Sequence, residues 1–137
     1  MEKGRYIYTI GEGVRERVTG IGNLELVLGD PYKDDYNLHD SVIQWFHYDQ
    51  ENSKLDVEIE VIGSMYDYPT DKDIFIHFCF ENVVALNVDF DGWHDISEMR
   101  LRIENNYLVC EFSCYFMEVW AEHLTIGSVV TRPHNEE

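Results

Sequence analysis

Leu55-Asp56-Val57-Glu58-Ile59-Glu60-Val61 puts an aliphatic side chain at every second position with three acids between them. A period of two, with one apolar and one charged face, is the pattern of a half-buried β-strand. Ile74-Phe75-Ile76-His77-Phe78-Cys79-Phe80 alternates too, but Phe75, His77 and Cys79 leave its second face largely apolar. That pattern predicts a strand in the interior of a sheet.

Outward from this pair the same period recurs. Val84, Leu86, Val88 and Phe90 share a face, with Glu81-Asn82 as a tight connection from the strand before. After the Asp91-Gly92 turn, Met99, Leu101 and Ile103 alternate with Arg100, Arg102 and Glu104. Asn105-Asn106 tolerates positive φ and closes a hairpin onto 107–116, where Leu108, Cys110, Phe112, Cys114 and Phe116 share a face. A last aromatic-rich strand is expected from Met117 through Trp120 toward Ile126, ending at Gly127. Asp40–Tyr48 reads as a strand with Val42, Gln44, Phe46 and Tyr48 on one side and Ile43, Trp45 and His47 on the other. The first 30 residues are ambiguous: Tyr6–Ile10 suits a strand, while Val14, Val18 and Ile21 have helical spacing interrupted by glycines. Roughly six to eight strands with short connections predict a mainly β fold (or α+β with one short helix), an antiparallel sheet forming a sandwich or partly closed barrel. No long βαβ crossover is present, which excludes a doubly wound α/β fold.

A length of 137 residues, 45% of them hydrophobic, suits one domain and can bury a core, with 132–137 expected to fray as a tail. No apolar run is long enough to cross a bilayer, and the start lacks a signal-peptide core, so a cytoplasmic location is expected. Cys79, Cys110 and Cys114 each sit within apolar runs, as buried free thiols of a reducing compartment do.

The net charge of −17 comes from 27 acids against 10 bases. Residues 1–20 are nearly balanced, whereas 30–73 hold twelve acids against Lys33, Lys54 and Lys72. Such a field repels nucleic acid and anionic membranes and speeds encounter with a basic protein. General solubility explains the same charge without any partner.

Catalytic patterns are missing. His39-Asp40 and His94-Asp95 flank turns and lack the further ligands of a metal phosphohydrolase. Asp89, Asp91 and Asp95 lack the ligand set of a calcium loop. Cys110 and Cys114 lie in strand pattern without a zinc knuckle. Gly11-Glu12-Gly13 has no phosphate-cradling continuation, and no G-x-S-x-G occurs. These residues require no cofactor, metal or catalytic role. Trp45, Trp93 and Trp120 with Tyr66, Tyr68 and Tyr115 exceed what a small core needs, and Trp and Tyr favour interfaces.

The order Val27-Leu28-Gly29, a proline-containing loop, Leu38-His39-Asp40-Ser41-Val42-Ile43, an acidic-tipped hairpin, Leu55–Val61, a Phe-bearing strand linked to Val83–Val88 and a late hairpin resembles the small bacterial immunity-protein-like β proteins of polymorphic toxin systems. The resemblance covers residues 24–128 and implies a non-catalytic protein that occludes a cognate toxin, often a basic nuclease. It carries over no fixed binding residues.

From charge and aromatic content, the expected contact surface for a basic partner is Tyr66, Asp67, Tyr68, Asp71 and Asp73, followed by Asp34 and Asp35. Two alternatives stand beside it. One is a small-ligand or metal-binding β-barrel, enzymatic or not, using His77, Cys79 and another histidine inside its lumen. The other is a subunit that homodimerises through an apolar strand edge.

Overall fold

The computed structural model describes residues 8–10, 13–23, 41–61, 72–89, 95–96, 98–113 and 116–133. Twelve strands are among them: β1 Tyr8–Ile10, β2 Val18–Thr19, β3 Ser41–Asp49, β4 Lys54–Val61, β5 Lys72–Glu81, β6 Ala85–Asp89, β7 Asp95–Ile96, β8 Glu98–Glu104, β9 Tyr107–Ser113, β10 Phe116–Ala121, β11 His123–Ile126 and β12 Val130–Pro133. A 3₁₀ turn, Val14–Arg17, sits between the first two. They form two sheets, β1-β8-β9-β10-β6 and β2-β11-β5-β4-β3-β7, with β12 beside β11 on the same edge of β5. The pairing is antiparallel except at β1–β8 and β2–β11. The sheets do not close on each other, so the fold is a sandwich.

Alternation decides what lies between the sheets. Leu55, Val57, Ile59 and Val61 of β4 and Ile74, Ile76, Phe78 and Phe80 of β5 are buried in one cluster with Met99, Leu101, Leu108, Cys110, Phe112, Met117 and Val119 of the opposite sheet. Phe78 joins the two layers, its ring centroid 6.0 Å from that of Phe112 and 6.3 Å from that of Phe80. As expected, β5 is an interior strand, flanked by β4 on one side and by β11 and β12 on the other. The Asn105-Asn106 turn closes β8 onto β9 with φ of 52° and 68°, the left-handed pair that a two-residue hairpin needs.

Four details differ from the sequence reading. The residues expected to form one strand from Met117 to Ile126 are two, β10 and β11, in different sheets, because the chain crosses the sandwich at Glu122. The tight Glu81-Asn82 connection likewise carries the chain from β5 in one sheet to β6 in the other. The two crossings run together, with Glu122 N–H donating to Glu81 O (3.1 Å) and Val84 N–H to Trp120 O (2.8 Å). Val84 is consequently exposed, and Val83 is buried in its place. Strand β12 extends through Arg132 and Pro133, into the segment expected to fray, because both pair with the start of β5.

The fourth difference lies in β3. Its register with β4 slips between Ile43, opposite Ile59, and Trp45, opposite Glu58. Gln44 is the extra residue of a β-bulge, which reverses the parity of everything after it. Ile43 and Phe46 therefore both pack on the core, and Gln44, Trp45 and His47 are exposed. A period of two cannot show a bulge, so the expected face assignment fails at this point.

One glycine is required by packing. Gly20 has φ +87°, and a Cβ there would strike the carbonyl oxygen of Ile126, where β2 runs beside β11.

Candidate functional site

On the five-stranded sheet, Arg102 reaches Glu104 (3.0 Å), Glu111 (3.2 Å) and Glu118 (3.6 Å), so one guanidinium is shared among three carboxylates. On the seven-stranded sheet, the outward positions of β4 are Lys54, Asp56, Glu58 and Glu60, and the neighbouring β5 turns Asp73, Phe75, His77, Cys79 and Glu81 to the same side.

These side chains interlock by cross-strand register. Trp45 lies opposite Glu58, and Glu58 lies opposite His77. The indole Nε1–H of Trp45 donates to Glu58 Oε1 (2.9 Å), and its ring centroid is 5.7 Å from that of His77. His77 Nε2 is 2.9 Å from Asp56 Oδ1, and Gln44 Nε2 donates to Glu60 Oε1 (2.8 Å). From β12, Arg132 Nη2 donates to Glu58 Oε2 (3.0 Å), and the guanidinium carbon lies 4.0 Å from the centre of the Phe75 ring. Phe75 is buried at 8% exposure yet lies outside the core cluster, consistent with cover from this outer side. Trp45 stays 45% exposed, fixed in orientation by its indole hydrogen bond.

Cys79 is half-buried on this face, and not in the core as expected; Cys110 does lie in the core. Burial, followed by the nearby Asp56 carboxylate, pushes the Cys79 thiol up to about 11, and burial pushes that of Cys110 further. Neither is a nucleophile at neutral pH. His77 and Cys79 point outward, so the barrel lumen expected to hold them does not exist. Among the described residues no three of His, Cys, Asp or Glu are grouped to hold a metal ion.

Of the residues expected to contact a partner, Asp73 lies on the outer side of β5, opposite Arg132 in register. Tyr66, Asp67, Tyr68, Asp71, Asp34 and Asp35 lie outside the described residues. The sequence reading missed Glu58, Phe75 and Arg132 as one group. They are far apart along the chain, and only the pairing of β4, β5 and β12 joins them.

A concavity of about 790 Å³ opens at one end of the sandwich among Arg17, Glu81, Asn82, Asn105, Asn106, Tyr107, Glu122 and His123. Its polar groups serve the fold: Arg17 donates to the Asn106 carbonyl and side-chain oxygens and to the Glu122 carbonyl, and His123 bonds Thr19. Among the described residues, no helix is long and apolar enough to cross a membrane. Comparison of the chain with models of protein families, with curated proteins and with solved structures returns no match.

Proposed function

We propose that this protein is a non-catalytic binding module of the cytoplasm, immunity-like in mode, which neutralises a basic protein by covering part of its surface. The outer face of the seven-stranded sheet is the contact surface. The observation that carries this reading is Trp45, exposed and fixed among Asp56, Glu58 and Glu60 on the outer side of β3 and β4. An aromatic anchor ringed by like charges is what a basic partner's surface complements. The net charge of −17 adds long-range steering, and the resemblance to immunity proteins points to the same mode.

The test is capture from source-cell lysate at low salt on immobilised wild type, Trp45→Ala and Glu60→Lys, with elution by salt. A basic protein eluted from wild type and depleted on both variants supports the reading. Equal retention by the variants, indifference to salt, or no retained protein refutes it. Charge reversal at Asp67 and Asp71 in the same assay tests whether the segment ahead of β5 belongs to the contact.

A further inference from the structure

Arg132 occupies a position on the outer face that is chemically specific. Its guanidinium lies over the Phe75 ring at 4.0 Å, and its Nη2 donates to Glu58 Oε2 at 3.0 Å. The other oxygen of the same carboxylate accepts from Trp45. An aromatic face beside a carboxylate held in place by an indole suits a planar guanidinium better than a compact ammonium, because the ring stacks on the plane while the carboxylate accepts from its edge. The occupant is open to solvent. Arg132 is about half exposed, with its side chain at 49%, and it belongs to a four-residue strand.

We propose that this Phe75–Glu58 seat is where an arginine of the basic partner docks, and that Arg132 is an internal placeholder the incoming arginine displaces. The proposal rests on the outer face being the partner surface and adds two things to it: the partner contact is an arginine rather than any cation, and the end of β12 competes for that contact. Charge complementarity supports a cationic occupant, since Asp56, Glu58, Glu60 and Asp73 surround the seat. The intramolecular Arg132 contact shows that a guanidinium fits it.

The experiment titrates hexa-arginine and hexa-lysine peptides, equal in charge, into full-length wild type, Arg132→Ala, Arg100→Ala and Glu60→Lys at one low ionic strength. Arg100 is the charge-matched control, because it lies on β8 of the opposite sheet. Arg132→Ala is expected to bind hexa-arginine roughly fivefold tighter than wild type, about the size of one exposed cation–π contact. Hexa-lysine should gain no more than it does with Arg100→Ala. Adding Phe75→Leu or Glu58→Gln to Arg132→Ala should abolish the arginine preference, and using both guards against one variant failing to fold. An equal gain for both peptides, or no gain beyond Arg100→Ala, overturns the seat while leaving the acidic face in place. Unchanged binding of both peptides to Glu60→Lys overturns the face itself and the seat with it.

Discussion

Deleting Gln44 tests the feature that turns Trp45 outward. In a regular antiparallel ladder the residue after Ile43 would face Glu58, and Trp45 would face inward opposite Val57. The bulge inserts one residue, so Trp45 takes the position opposite Glu58. Removing Gln44 therefore regularises the ladder without turning any other side chain over: Ile43 keeps Ile59, Trp45 keeps Glu58 and Phe46 keeps Val57. The deletion loses the exposed hydrogen bond from Gln44 to Glu60, a contact contributing about 0.5–1.5 kcal/mol at most. Stability should fall by no more than about 1 kcal/mol, since exposure places that contact at the low end of the range. Deleting Glu58 from β4, where pairing is regular, has the opposite consequence. It turns either Leu55 and Val57 or Ile59 and Val61 from the core to solvent, all of them now at 0–3% exposure. Two aliphatic side chains at about 1.5–3 kcal/mol each come to roughly 3–6 kcal/mol, before the cost of bringing a carboxylate inward. That loss is comparable to the whole stability of a domain, typically about 5–15 kcal/mol. Urea unfolding followed by circular dichroism measures both deletions. If the Gln44 deletion is as damaging as the Glu58 deletion, parity of the ladder is not what sets the outward face.

Phe78→Ala should cost about 3–5 kcal/mol in the same unfolding assay, because its ring joins Phe80 and Phe112 between the sheets, whereas His77→Ala beside it should cost less than about 1 kcal/mol. Gly20→Ala should destabilise by more than the roughly 1–2 kcal/mol of a left-handed backbone alone, since its Cβ meets the Ile126 carbonyl. Gly13→Ala, with φ +82° but its nearest neighbour at 3.5 Å, should stay near that figure; a Gly20 variant as mild as the Gly13 one would contradict the close approach of β2 to β11. In a Cys114→Ser background, modification by a disulfide reagent at pH 8 should be about tenfold slower than for an ordinary exposed thiol, the smaller thiolate fraction being partly offset by the greater nucleophilicity of a more basic thiolate, because Cys79 ionises only near 11. The sign for stability follows from linkage: the unfolded chain releases the Cys79 proton first, so stability falls as pH rises past the ordinary thiol range. Asp56→Asn should bring Cys79 reactivity to lower pH, and unchanged reactivity would remove the carboxylate as a cause.

Local pattern and tertiary pairing contributed different parts of this structure. The alternation in Leu55–Val61 and Ile74–Phe80 determined two strands and their inward faces, because a strand has one period and water is excluded from one side. Asn105-Asn106 determined a turn for a reason internal to those residues, their tolerance of positive φ. The crossings at Asn82 and Glu122 were not legible, since a chain that changes sheets keeps the same alternation on either side of the crossing. The bulge at Gln44 was hidden for a related reason: Ile43, Trp45 and His47 look like one face until a partner strand sets the count. The candidate site shows the same division. The excess of acids and aromatics was visible in composition, but Trp45, Glu58, Phe75 and Arg132 became one group only through the register of four strands. Composition sets how much charge a surface carries; the pairing of strands distant in sequence sets which charges meet an aromatic ring and which meet water.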